Sequence, residues 1–190
     1  MITEHFFNKW IILGLLIIPA IGLIFDEPYY ITLTTKVIIL GIAGVGLNLA
    51  LGYGGLISFG HAAFFGIGGY VTAIMSYHAM NEELLFNWPF AFMGSTEMFI
   101  IWPLVIFVSA FFSLIIGLLC LRTSGVYFIM ITLAFAQMLY YFSISWPSYG
   151  GEDGLSIYMR NTLPMLNTMD PLIFFIICLF WLFIAIFITC

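Results

Sequence analysis

The chain has 190 residues, 64% of them hydrophobic and 19% aromatic, and only 7% are charged, where a soluble domain carries roughly 25%. Four Lys+Arg and nine Asp+Glu cannot cover a water-soluble surface of this size, and a net charge of −5 leaves no basic face for nucleic acid. The composition is that of an integral membrane protein.

Six apolar segments are expected to cross the bilayer, at about 10–25, 37–51, 56–78, 98–120, 125–146 and 172–190. They do not alternate apolar and polar residues as the strands of a membrane barrel do, so the fold class is an all-α, polytopic transmembrane helical bundle. Trp10, Tyr29, Tyr30, Tyr77, Trp102, Tyr140, Tyr141 and Trp146 fall near the segment ends, at the level amphipathic rings favour. Lys9 before the first segment and the Ala20-Ile21-Gly22 stretch resemble a signal peptide. The apolar run continues past them to Asp26-Glu27, which makes retention as a first helix the expectation. The first helix often sets orientation, and Lys9 with the terminal amine places the N-terminus inside.

Ten of the 18 glycines lie between Gly41 and Gly69, within an uncharged stretch from Val37 to Asn81. Glycine costs about 1 kcal/mol against alanine inside a helix, so this density has a cause. Small residues four apart, such as Ala62 and Gly66, let helix backbones approach closely. A second cause is an interruption at Gly52-Tyr53-Gly54-Gly55. It reads either as a tight cytoplasmic turn or as a discontinuous helix at membrane depth, where unwound backbone must be buried in protein or line a polar cavity. Asn48, Ser58 and His61 surround it, and each reads as an interhelical tie or as a pathway residue.

The next informative stretch runs from Arg122 to Gln137. Ser124 is the expected N-cap of the fifth segment. Arg122 can bury its stem while its head reaches water. Tyr127, Thr132 and Gln137 give that helix polar groups to place against protein, although a threonine often bonds back to its own helix. The Gly150-Gly151-Glu152-Asp153-Gly154 loop has turn composition with two adjacent acids, either a solvated outer turn or a docking surface for a soluble partner. Cys120, Cys178 and Cys190 have no metal-ligand spacing and no disulfide framework. No phosphate loop, nucleophile–base pair or metal cluster is present in the sequence, so no catalytic residue, metal or cofactor is expected. No Asp, Glu, Lys or Arg lies inside an expected span, which argues against proton-coupled carriage.

The block from Gly46 through Asn48, Gly52, Ser58, His61 and Gly66 to Tyr70 resembles the signature of permease subunits of branched-chain amino acid ABC importers. Arg122 to Gln137 resembles the matching region of the LivM-like permeases, and Gly150-Gly-Glu-Asp-Gly154-Leu follows in the family's order. The resemblance implies a non-enzymatic transport subunit of a bacterial inner membrane, carrying leucine, isoleucine or valine. Its implied partners are a second homologous permease, two cytoplasmic ATPases that hydrolyse the ATP, and a periplasmic substrate-binding protein. Asn48, Gly52, Tyr53, Gly54, Gly55, Ser58, His61, Tyr127, Thr132 and Gln137 become candidates for the pathway or a subunit contact. Gly150, Gly151, Glu152, Asp153 and Gly154 become candidates for an outer docking loop. Family members are longer, so residues 1–190 are expected to form a single permease domain incomplete at its C-terminus. The alternatives are a related permease for urea, amides or other amino acids, a passive channel with a re-entrant glycine-rich segment, and an assembly subunit with no pathway of its own.

Overall fold

The structure, a computed structural model, describes residues 14, 17–19, 22, 25, 27–82, 84–86, 92–157, 159–164 and 166–189. Most of the first expected span, with Lys9 and Trp10, lies outside the described residues, as do Asp26, Glu83 and Cys190. The chain divides into two compact units, Met1–Leu49 with Asn167–Cys190, and Ala50–Leu166. Each is described by itself.

In the first unit, helix α1 (Pro28–Asn48) begins with proline at its first position, where the missing N–H would be unpaired in any case. Thr32, Thr34 and Thr35 donate their hydroxyls to the carbonyls of Pro28, Tyr30 and Ile31 at 3.0, 2.8 and 2.8 Å. A β-branched polar run is thereby satisfied within its own helix, as an apolar solvent requires. The helix therefore starts nine residues before the expected span and takes in Lys36. Helix and following turn together run from Pro28 to Tyr53, about 39 Å at 1.5 Å per residue. That exceeds the ~30 Å hydrocarbon core, so the exposed Lys36, about 12 Å from Pro28, can reach headgroups with its flexible stem. Ile31 and Ile38 pack against Phe175 and Cys178 of a later helix, Pro171–Thr189.

In the second unit, α2 (His61–Asn81) is followed by a small antiparallel hairpin, β1 (Leu84–Phe86) with β2 (Phe92–Met93). Then come α3 (Met98–Cys120) and α4 (Val126–Ile144); Pro171–Thr189 is α5. The α3–α4 turn is closed by Thr123, whose N–H and hydroxyl both donate to the Cys120 carbonyl, at 3.0 and 2.7 Å. The N-cap of α4 is Gly125 at φ 61° with no side-chain cap bond, not Ser124. Positive φ at the cap requires the residue without a Cβ. A core of Ile116, Cys120 and Phe128, with Leu56, Phe64, Ile131, Phe135 and Leu139 packed on it, joins the end of α3 to the beginnings of α2 and α4.

Among the described residues, four helical segments, Pro28–Tyr53, α3, α4 and α5, are long and apolar enough to cross a membrane. In them only 11–22% of the most apolar window is buried, so most of their surface faces outward. The bounds of α3 coincide with the expected 98–120, and those of α4 and α5 differ from expectation by two residues at most. The third expected segment begins five residues late, because residues 54–60 are not helical. Its helix, α2, is long enough to span but is diluted by Gly66, Gly68, Gly69, Thr72, Ser76 and His78.

Candidate functional site

The helix begun at Pro28 does not end in an ordinary cap. It widens into a π-turn over Leu49–Tyr53, then runs without helix through Gly54 to Gly60. A Cβ on Gly54 would stand 2.6 Å from the Ala50 carbonyl oxygen, which meanwhile accepts the Leu56 N–H at 3.1 Å. Gly55 follows at φ 61°. The backbone thus folds tightly over its own last turn, and π-turns of this kind concentrate at functional sites.

The segment next runs against α4. A Cβ on Gly60 would lie 2.6 Å from the Thr132 carbonyl oxygen and 3.2 Å from the Thr132 Cβ. The Gly60 N–H donates to the Ser58 hydroxyl at 3.3 Å, and the Gly60 carbonyl accepts the Ala63 N–H at 3.0 Å. Ser58, Gly60, Phe64, Ile116, Thr132 and Phe135 leave a void of about 10 Å³, no more than one water needs, about 10–15 Å³. Thr132 lies six residues into α4, about 9 Å from its start. The first turn of α2 is therefore level with the interior of a spanning helix rather than with its end.

From that point α2 and α4 run in the same direction. Tyr70 shares its hydroxyl between the carbonyls of Ser143 and Tyr149, at 3.3 and 3.2 Å. Farther along, His78 Nε2 is 2.9 Å from the Tyr149 hydroxyl. Gly94, just before α3, lies against Met75, His78 and Ala79 near the end of α2, and Ile116 and Cys120 at the end of α3 share a core with Phe64 near the start of α2, so α3 runs the opposite way. The segment before α3 and the loop after α4 consequently share one end of the unit. There the Thr162 N–H donates to the Thr96 carbonyl at 2.8 Å, and the Met98 N–H to the Thr162 carbonyl at 3.0 Å.

That loop forms two 3-10 turns, Pro147–Tyr149 and Gly151–Asp153, hinged by Gly150, Gly151 and Gly154 at φ 85°, 51° and 74°. Glu152 and Asp153 project from the second turn and are exposed. The base of the loop is held to α2: besides the Tyr70 and His78 contacts, the Ser76 hydroxyl lies 2.7 Å from Asn161 Oδ1. Tyr149 also makes edge-on ring contacts with Tyr77, His78 and Trp146. His78 Nδ1 is buried without a hydrogen-bond partner among the described residues.

Of the residues singled out in the sequence, the second unit brings Ser58 beside Thr132 and gathers Gly150 to Gly154 on one surface. Thr132 is buried, and its hydroxyl donates to its own helix at the Ile129 carbonyl, 3.0 Å. His61 stacks edge-on with Phe64. Gly52, Tyr53, Gly54 and Gly55 are exposed, as are Tyr127 and Gln137. Asn48, the exposed last residue of α1, belongs to the first unit. The sequence reading passed over Gly60, whose missing side chain permits the contact with α4, and over Tyr70, Ser76, His78 and Tyr149, which hold the loop. Polar side chains one to two turns apart in the latter half of an apolar helix were the available signal. Among the described residues no three His, Cys, Asp or Glu side chains converge on a metal-sized site.

A family model described as "Branched-chain amino acid transport system / permease component" matches residues 29–190. No curated protein and no solved structure matches the chain.

Proposed function

The chain belongs to the family of permease components of branched-chain amino acid transport systems, and from that premise we propose that it is the membrane subunit of an ATP-driven (ABC) importer for leucine, isoleucine and valine. The family match over most of the chain carries this reading. It is a multi-pass membrane protein with a transport role, and partner subunits follow from its being one component of a system. The proposed partners are a second homologous permease, two cytoplasmic ATPases and a periplasmic substrate-binding protein. The proposed setting is the bacterial inner membrane, with the N-terminus inside, about six spans and one permease domain over residues 1–190.

The break between the π-turn and α2 is the proposed working element. It frees backbone amides and carbonyls that a continuous helix would consume, in the manner of transporters that present unwound backbone to substrate. Its level beside Thr132 favours the discontinuous-helix reading over a turn at the membrane surface. Ser58 and His61 flank the break, and Gly52, Tyr53, Gly54 and Gly55 form it. Asn48, Tyr127, Thr132 and Gln137 complete the proposed pathway or contact set. With the N-terminus inside, Gly150 to Gly154 face outward, where Glu152 and Asp153 offer a charged surface to a binding protein.

Affinity purification of the tagged chain from its own membranes, with partners identified by mass spectrometry, tests this. Recovery of a second permease and phosphate-loop ATPases, with leucine uptake that stops when ATP is depleted, is expected. Uptake that persists without ATP and without partners would replace the importer with a passive channel.

A further inference from the structure

One buried titratable side chain has no part in the proposed pathway. His78, in the last turn of α2, is only 8% exposed. Its Nε2 meets the Tyr149 hydroxyl at 2.9 Å, and Tyr77 and Tyr149 set their rings edge-on to the imidazole, each at 5.7 Å between ring centres. Among the described residues, its Nδ1 is the only buried side-chain nitrogen or oxygen with no hydrogen-bond partner. The segment before α3 closes over the same turn. A Cβ on Gly94 would stand 2.6 Å from the Met75 carbonyl oxygen and 2.7 Å from the His78 carbonyl carbon.

A neutral imidazole fits this niche and a charged one does not. In the neutral ring one nitrogen carries a proton and the other a lone pair. When the Nε2–H donates to the Tyr149 oxygen, only a lone pair is left unpaired at Nδ1. Proton uptake makes Nδ1 a second donor on a cationic ring, and no acceptor among the described residues meets it. The charged and titratable groups around the ring offer no relief. On α2, Tyr70 bonds to the Ser143 and Tyr149 carbonyls, Tyr77 presents its ring edge, and Glu82 is the exposed C-cap. Before α3, Glu97 is exposed. On the loop after α4, Glu152 and Asp153 are exposed, and Arg160, next to the Asn161 that meets Ser76, is a further cation. A charge is not kept unpaired in such a niche: the ring stays neutral or leaves.

We propose that His78 is an acid-released latch for the loop that follows α4. On taking up a proton the ring leaves its niche, and its bond to the Tyr149 hydroxyl is lost. Tyr149 also ties the loop to α2 through its carbonyl, which accepts from Tyr70, and it carries Trp146 on its ring. Freeing Tyr149 therefore loosens residues 146–161 from α2. The held loop binds one proton fewer than the released loop, so holding strengthens as pH rises and weakens as it falls. Between about pH 5 and pH 8, imidazole is the side chain that changes charge. The latch rests on contacts within the second unit, and not on the substrate carried or on the side of the membrane the loop faces.

The test is limited cleavage of the full chain in detergent by proteinase K, from pH 8 to pH 5. Each rate is divided by that of His78→Gln at the same pH, which cancels the protease's own pH dependence. Glutamine can still bond to Tyr149 but takes up no proton. The normalised rate between Trp146 and Asn161 is expected to rise at least five-fold on acidification. In the histidine-labelled chain, the imidazole signal that His78→Gln removes should change with the same midpoint. If His78→Gln does not accumulate, Tyr149→Phe is the reference, since its loop has already lost the bond. The parent should then be cut several-fold more slowly than Tyr149→Phe at pH 8 and equally fast at pH 5. A flat normalised rate while the His78 signal titrates would overturn the release. A rate that rises while the His78 signal stays constant would assign the effect to another group and overturn the latch equally. Leucine uptake is measured separately, so the transport reading and the latch fail independently.

Discussion

Gly60→Ala tests the contact on which the break depends. Gly60 has φ −82° and ψ −3°, a conformation alanine adopts freely, so the substitution probes space and not backbone strain. The added methyl would lie 2.6 Å from the Thr132 carbonyl oxygen, 3.1 Å from its carbon and 3.2 Å from the Thr132 Cβ. The obstacle is the backbone of a packed helix, so the segment or α4 must retreat by several tenths of an ångström. Overpacking of this kind costs about 1–3 kcal/mol, and at ~2–4 °C per kcal/mol for a chain of this size it lowers the melting temperature by roughly 2–12 °C. Gly66→Ala is the internal control: it sits in α2 with nothing within 4 Å of its Cβ, and helix propensity favours alanine there by about 0.5–1 kcal/mol. The assay is thermal unfolding of the purified protein in detergent, together with leucine uptake at matched membrane abundance. Gly60→Ala should melt lower and transport at least five-fold more slowly, and Gly66→Ala should match or exceed the parent. Equal melting and equal uptake for the two variants would refute the close approach of the break to α4.

Three further outcomes are expected. Gly54→Leu should abolish uptake without loss of the chain from the membrane, since its Cβ would meet the Ala50 carbonyl at 2.6 Å; wild-type uptake would reduce the glycines to a passive turn. Tyr149→Phe removes the hydroxyl that holds His78 and leaves both imidazole nitrogens unpaired, a loss of about 1–3 kcal/mol. Limited proteolysis between Trp146 and Asn161 should then quicken, and an unchanged cleavage rate would count against the clamp. Glu152→Gln with Asp153→Asn should slow uptake at low salt and matter less as salt rises, whereas an identical salt profile would remove the loop from partner docking.

Much of the fold is legible in the sequence because the bilayer is a demanding solvent. Apolar length alone locates α3, α4 and α5 to within two residues. The start of α1 was missed because Lys36 and three threonines look like a loop. Only the observed hydroxyl-to-carbonyl bonds show that helix accommodating them. The glycine cluster announced an interruption without locating its effect. Gly54 and Gly60 look alike in the sequence, yet one faces its own preceding turn and the other faces Thr132.

The Gly150–Gly154 loop divides in the same way. Its turn composition and paired acids are written in residues 150–154, because positive-φ hinges demand glycine and exposed turns tolerate charge. That Tyr70, Ser76 and His78 reach across to hold it depends on α2 and α4 running in the same direction, a long-range pairing that no local pattern encodes. The sequence by itself determined the solvent, the helical class and the family, since each follows from composition, periodicity or a contiguous motif. Tertiary structure alone decided which glycine touches a neighbouring helix, beside which turn of α4 the break lies, and which polar side chains have partners. Those properties belong to pairs of residues brought together by packing, and packing is specified by shape across the whole unit rather than by any one segment.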